Sequence, residues 1–204
     1  MLKKLLGLCD ILLIQEHWLS PQQFKDLSFN SAFLVHAVSG FSNKQLLSGR
    51  SFGGCAILWR ANKFVKVEVL PVSSNRMYAI RICRNDCSLI IVNVYMPYEC
   101  DDDAADEFSF QLLLLEGLIN DNADSHIIVG GDFNVDFARK WKHTDILLSF
   151  CDKLDSCAVD FHQSSEVDFT FNFNLERFSC IDHFLLSGTL FQNSVISYIV
   201  SHNG

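Results

Sequence analysis

Apolar residues fall along this chain in short runs, and the runs predict many strands and few helices. Val65, Val67 and Val69 alternate with Lys66 and Glu68, the period of two expected of a half-exposed strand. Further strands are expected at Asp10 to Gln15, Ala32 to Val38, Gly54 to Trp59, Tyr78 to Ile82 and Leu89 to Tyr95. The run Ile127-Ile128-Val129 adds another, and Phe169 to Phe173, Ile181 to Leu186 and Val195 to Val200 complete the series. Helices are expected where the period lengthens. Leu2 to Cys9 reads as a helix tail. Phe108, Leu112, Leu115 and Ile119 share one helical face, with acids ahead of the N-terminus where the helix dipole favours them. Thr144 to Leu154 reads as another helix. Antiparallel runs with helices interspersed predict an α/β fold of two packed sheets covered by helices, in a single domain spanning 1–204.

Composition narrows this picture. With 204 residues, 49% of them hydrophobic, the chain can bury a substantial core, and its 18 phenylalanines suit an aromatic-rich one. Three prolines and ten glycines leave little room for linkers. A net charge of −8 is unusual for a nucleic-acid binder, although part of it is concentrated in Asp101, Asp102, Asp103, Asp106 and Glu107. A bound divalent cation would offset acids that converge on it. The start Met1-Leu2-Lys3-Lys4 resembles an export signal, but Asp10 interrupts the apolar stretch and no small-residue cleavage site follows. No run reaches the ~18 apolar residues of a membrane span. The eight cysteines are scattered without a Cys-x-x-Cys pair, and Cys83 and Cys87 flank a hairpin turn, so reduced thiols are expected. Together these features predict an intracellular protein, nuclear or cytoplasmic, without a membrane segment.

Candidate chemistry gathers at strand ends. Gly130-Gly131-Asp132-Phe133-Asn134 follows an apolar run with two glycines that allow close backbone approach, then an acid and an amide. On an extended backbone Asp132 and Asn134 would share one face, where they could orient a water and hold an anionic oxygen beside a metal. Gly, Asp and Asn are also ordinary turn residues. Glu16 follows an apolar strand, and a carboxylate there suits a hard cation such as Mg²⁺, though an isolated surface glutamate is the commoner case. Tyr95 ends a strand just before Met96-Pro97-Tyr98, where its phenol could bond a phosphate or simply be a core aromatic. Asp182 lies within Ile181 to Leu186 and needs a partner, because an unpaired buried carboxylate is costly.

Taken in order, Ile14-Gln15-Glu16, Asn93-Val94-Tyr95-Met96-Pro97, Gly131-Asp132-Phe133-Asn134 and Ile181-Asp182-His183-Phe184-Leu185-Leu186-Ser187 resemble the endonuclease/exonuclease/phosphatase superfamily. Gln15-Glu16-His17-Trp18-Leu19 and Ile181-Asp182-His183 are most similar to the endonuclease domains of non-LTR retrotransposons. The resemblance implies a four-layer α/β sandwich, two packed mixed sheets flanked by helices, and Mg²⁺- or Mn²⁺-dependent phosphodiester hydrolysis by a DNA-nicking monomer. It implies that Glu16 holds the metal and that Asp132 orients or deprotonates the attacking water. Asn134 would position water and phosphate, Tyr95 would donate to a phosphate oxygen, and Asp182 would orient a histidine.

That histidine is the point of departure. His183 fills the aromatic slot beside Asp182, and adjacent strand residues point to opposite faces, so the two should not converge. The family's catalytic histidine belongs to a Ser-Asp-His segment after one further strand, whereas here the chain reads Ser201-His202-Asn203-Gly204, without that Asp. The family's first strand, with an Asn supporting the metal, has no counterpart before Glu16. Tyr98 stands where an Asn is frequent. The expectation is a domain lacking its first strand and last strand segment, with weak or no nuclease activity. The alternatives are a noncatalytic binding module that keeps the fold, or another phosphodiesterase of the superfamily such as an abasic-site nuclease.

Overall fold

The computed structural model describes residues 2–28, 30–40, 53–84, 87–100, 102–161, 169–173 and 177–193. The chain opens with helix α1 (Leu2–Leu8) and strand β1 (Ile11–Gln15), then a 3₁₀ segment (Pro21–Leu27). Five strands follow: β2 (Phe33–Val38), β3 (Cys55–Arg60), β4 (Lys66–Leu70), β5 (Met77–Arg84) and β6 (Cys87–Tyr95). Helix α2 (Asp102–Asn120) leads to β7 (His126–Asp132), α3 (Lys142–Lys153) and β8 (Ser156–Ala158). The last described elements are β9 (Phe171–Phe173), β10 (Arg177–Ser179), β11 (Asp182–Ser187) and a short α4 (Gly188–Asn193). The strand expected at Val195 to Val200, and His202, lie outside the described residues.

The strands form a small sheet of order β1-β3-β2 and a large one of order β4-β5-β6-β7-β11-β8, with β9 and β10 as a separate ribbon. The small sheet is antiparallel among the described residues; the large one is mixed, because β6 and β7 run parallel across the α2 crossover. Three apolar clusters fill the spaces between four layers. Leu6 of α1, Leu27 and Phe33 cover Ala56 and Leu58 on the outer face of the small sheet. Cys55, Ile57 and Trp59, the alternate residues of β3, face Tyr78, Ile80, Ile82 and Ile91 between the sheets. Val92 and Val94 on the far face of β6 pack with Phe108, Leu112 and Leu115 of α2 and Leu147 and Phe150 of α3. A strand covered on both faces reads as an unbroken apolar run, which is why β3 and β6 lack the alternation of β4.

Polar groups tie the layers together at a few points. Arg60 on β3 collects the end of α1, with Nη2 donating to the carbonyls of Leu6 and Cys9 at 2.9 and 3.1 Å and Nε to Asp10 Oδ1 at 2.8 Å. Helix α3 begins at Lys142, two residues before its sequence period does. Glu99 accepts from the Lys142 and His143 amides at 3.2 and 3.1 Å, a cap supplied from a distant loop. Strands β8 and β10 have three residues each and carry no periodic signal to predict them. All eight cysteines are free thiols. No described helix is long and apolar enough to cross a membrane.

Asn93 joins the two sheets. Its side chain is fully buried on the face of β6 that meets the small sheet, and its Nδ2 donates to the carbonyls of Ile14 at 2.8 Å and Ala56 at 2.9 Å. Its Oδ1 accepts from Gln15 Nε2. Each donor and one acceptor lone pair is thereby used between otherwise apolar layers. Asn93→Ala leaves the Gln15 amide without its partner and takes an extra donor from two carbonyls that keep their β1–β3 ladder bonds, and the expected loss is about 1–3 kcal/mol of unfolding free energy in urea melts. A loss below about 1 kcal/mol would show that the staple is dispensable.

Candidate active site

The C-terminal ends of β1, β6 and β7 and the start of β11 meet at one rim of the molecule. Register brings the side chains together. Tyr95 pairs with Asp132 across β6 and β7, and Asp132 pairs with Asp182 across β7 and β11, so three of the expected residues stand in one row. Glu16 enters from the other sheet, immediately after β1. Tyr95 Oη donates to Glu16 Oε1 at 2.6 Å, closing the contact between the sheets.

The loop that presents Glu16 is held by its neighbours. Glu16 and Trp18 adopt left-handed φ of 51° and 56°, which turn the chain sharply out of β1. Between them His17 is spent as an anchor. Its Nδ1 accepts from the Leu19 amide at 3.0 Å, which leaves Nε2 as the donor to the Val38 carbonyl, also at 3.0 Å. Burial lowers the His17 pKa, so the neutral tautomer that makes both bonds is favoured.

The glycine pair before Asp132 has a steric cause. At Gly131, with φ of 144°, a Cβ would lie 2.1 Å from the Val94 carbonyl oxygen of β6. At Gly130 it would lie 2.4 Å from the Phe184 ring. At Gly131 the neighbour is backbone and no side chain fits, whereas at Gly130 the Phe184 and Leu13 side chains would have to move, and β7 therefore carries Asp132 close against β6 and β11. Asn134 reaches the same cleft by a different route from the one its spacing suggests. β7 ends at Asp132, and Asn134 has a left-handed φ of 53°. Its amide donates to Asp132 Oδ1 at 2.8 Å, a turn closed by the aspartate side chain, and its Nδ2 donates to the Met96 carbonyl at 2.9 Å. The extended-backbone argument for a shared face is thus replaced by a turn that brings the two side chains together.

Asp182 is the first residue of β11, and Thr170 provides the partner its burial demands. Thr170 Oγ1 accepts from the Ile181 and Asp182 amides at 3.0 and 3.1 Å and hydrogen-bonds the Asp182 carboxyl. Asp182 opens onto a neighbouring apolar groove of about 610 Å³ bordered by Leu13, Gln15 and Phe184. His183 turns the other way. It is 1% exposed, ringed by Phe133 and Phe137, and its Nε2 meets the Val135 carbonyl.

Two partly buried acids on neighbouring strands, Asp132 and Asp182, shape the electrostatics of the rim. Burial first, and then the charge of Asp182, push Asp132 from an ordinary 3.8 up to about 7, against the Asn134 amide that lowers it. Burial likewise raises Asp182, and it raises Tyr95 with help from Glu16, so the phenol stays a hydrogen-bond donor at neutral pH. The donors are hard oxygens, which suits Mg²⁺ or Mn²⁺, and the unneutralised negative charge around Asp132 is what a divalent cation would relieve. No cluster of three or more His, Cys, Asp or Glu side chains suited to a metal occurs among the described residues. Any ion here would rest on Glu16 and keep much of its water, as Mg²⁺ commonly does.

The rim also contains residues that the sequence did not single out. Arg76 lies over the Tyr95 ring, 5.6 Å from its centroid, with Nη1 3.4 Å from the Tyr95 carbonyl. Arg139 and Trp141 line the cleft beside Asn134. The one available signal was their place in the loop directly after Gly-Asp-Phe-Asn, where a strand end presents side chains to a ligand.

Comparison with known proteins agrees with this arrangement. The model of the Endonuclease/Exonuclease/phosphatase family matches residues 1–203. No curated protein sequence matches significantly. Among solved structures, the endonuclease domain of TRAS1, a telomere-specific non-LTR retrotransposon, superposes with a TM-score of 0.67 at 15% identity, over 93% of this chain and 77% of that one. An AP endonuclease from Archaeoglobus fulgidus gives 0.67 at 16%, over 94% and 80%. A mannosyl-6-phosphatase from Bacteroides thetaiotaomicron gives 0.61 at 19%, over 91% and 74%. At these identities the likeness is one of fold.

The raised Asp132 sets a pH dependence whose sign can be derived. Between its unfolded value of 3.8 and its folded value of about 7, the folded protein holds a proton that the unfolded chain has released. The associated stability is complete below the unfolded value and is lost as pH rises through the folded one. Asp132→Asn keeps the acceptor for the Asn134 amide and cannot ionise. In urea melts with EDTA it is expected to gain on the wild type between about pH 5 and about pH 8, by roughly 1.4 kcal/mol for each pH unit from pH 5 up to the folded value, about 3 kcal/mol in all. An identical gap at both pH values would remove the elevated carboxyl.

Proposed function

This chain belongs to the endonuclease/exonuclease/phosphatase family, and from that premise we propose that it is a metal-dependent phosphodiesterase directed at nucleic acid, with DNA nicking as its reaction. The observation that carries the reading is the meeting of Glu16, Tyr95 and Asp132 at one rim, with Tyr95 Oη 2.6 Å from Glu16 Oε1 and Tyr95 paired with Asp132 across β6 and β7. A carboxylate there can accept a proton from an attacking water, and a protonated phenol at hydrogen-bonding range can steady a phosphate oxygen as its charge grows. TRAS1 and the AP endonuclease, fold relatives named for action on nucleic acid, are in keeping with a polynucleotide substrate.

In this reading Glu16 holds Mg²⁺ or Mn²⁺. Bound there, the ion supplies Lewis-acid polarisation of the phosphate and charge compensation for the leaving oxygen. Asp132 removes the proton of the water and is kept in line by the Asn134 amide. Asn134 lines the same cleft, Tyr95 turns its hydroxyl from Glu16 to the phosphate, and Asp182 would steady an imidazole. Among the described residues no imidazole lines the cleft, and this reading gives proton transfer to Asp132 and Tyr95. General acid–base assistance is commonly worth 10²–10⁴ in rate. The same observation favours a second reading, a module that retains the fold and binds its partner with little chemistry.

Two measurements separate these readings. Calorimetric titration with Mg²⁺ and Mn²⁺ is expected to reveal one site that Glu16→Gln weakens at least tenfold; no binding in the wild type favours the module without chemistry. Supercoiled plasmid incubated with Mg²⁺ is expected to be nicked slowly, and Asp132→Ala to abolish what nicking there is. Nicking unaffected by Asp132→Ala would sink the assignment of this site.

A further inference from the structure

Two clefts meet at the Glu16–Tyr95 pair. One, of about 430 Å³, runs past Asp132 and Asn134 toward Arg139 and Trp141. The other, of about 510 Å³, runs past Arg76 beneath the start of α2. Tyr98 lines both and forms the ridge between them, with 59% of its surface exposed. A single exposed aromatic is ordinary on a protein surface. Tyr98 differs in its place and in how it is braced.

The Trp141 ring stands edge-on to Tyr98, centroids 6.4 Å apart at 86°. The Arg139 guanidinium lies over the Trp141 ring, 5.1 Å from its centroid. Arg139 is itself fixed, by an ion pair with Asp136 at 3.2 Å and a 2.6 Å hydrogen bond donated to Ser179 Oγ. Asp136 is 9% exposed, and its second oxygen accepts from the Ala138 amide at 2.9 Å. A chain of contacts thus runs from a buried carboxylate through a cation and an indole to the phenol at the ridge.

Resting on the phosphodiesterase reading above, we propose that Tyr98 is a stacking platform for an unpaired base of the substrate strand, next to the phosphate held at Glu16 and Tyr95. Trp141 and Arg139 keep the platform upright, and Arg76 and Arg139 each supply one cation to a cleft that receives the strand. Charge makes stacking necessary here. The chain carries −8, and both arginines are already paired with acids, Arg139 with Asp136 and Arg76 with Glu107 at 3.9 Å. Neutralisation of phosphates, the usual source of affinity for nucleic acid, is therefore meagre. Contact between a ring and a base face needs no net charge and accepts any base. A duplex keeps its base faces covered, so the preferred substrate is a strand that is single or locally opened.

The test is fluorescence anisotropy in Mg²⁺ with Asp132→Asn throughout, so that no strand is cut. Three labelled ligands of equal length are compared: a single-stranded DNA, a chain of abasic sugar phosphates, and a blunt duplex. The single strand is expected to bind roughly tenfold more tightly than the abasic chain. Adding Tyr98→Ala is expected to erase that advantage and leave abasic binding unchanged, while Tyr98→Phe preserves it. Equal binding of the single strand and the abasic chain overturns the platform while leaving the phosphodiesterase reading intact. So does tighter binding of the duplex, or a Tyr98→Ala loss shared by both single chains. Failure of all three ligands to bind, with no Mg²⁺-dependent nicking by the wild type, overturns both.

Discussion

One buried amide sets the relation between the two sheets. Asn93 sits on β6 two residues before Tyr95, and the groups it holds, Gln15 and the Ile14 carbonyl, immediately precede Glu16. Apolar layers pack well in several sliding positions, because the hydrophobic contribution has no direction. A hydrogen-bonded side chain at the interface removes that freedom, since a shift of even one residue leaves the fully buried Asn93 amide without its partners. The Glu16–Tyr95 contact therefore follows from a bond made deeper in the core. The site inherits its precision from the interior, as sites resting on regular elements generally do.

The rim itself works against the fold. Asp132 and Asp182 are brought together where solvent is partly excluded, and burial holds both carboxyls above their ordinary range, Asp132 at about 7. Nothing in the packing requires this. The large sheet would be quieter with amides in these places, and a structure that retains acids retains them against stability. The strain is local. Thr170 and the Asn134 amide distribute part of it, and the glycines at 130 and 131 let the strands come close enough for it to exist at all.

Much of this was legible in the chain. The continuous apolar runs at β3 and β6 marked strands, and the separation of Asp182 from His183 followed from strand alternation alone. Asn134 was identified for a reason the backbone does not use, because a side-chain turn, not an extended strand, carries it beside Asp132. Other features had no local signature. Glu99 caps a helix that begins 43 residues later, and Thr170 braces an acid 12 residues away. The row from Asp136 through Arg139 and Trp141 to Tyr98 exists only once two loops have packed. Such contacts depend on topology, which local periodicity does not encode.

The strand order of the large sheet has a consequence in time. β11 comes after both β7 and β8 in the chain, yet it lies between them. As synthesis proceeds at ~5–20 residues per second, β7 waits with one unpaired edge and β8 has no place in the sheet until residue 187 is available. The strand that completes the barrier between core and water is the one that delivers Asp182. A nascent chain can therefore have its two sheets formed, and Glu16 and Tyr95 in contact, while the row of acids is still incomplete. The row of acids is therefore completed by the same late strand that adds Leu185 to the core and gives β8 its place in the sheet.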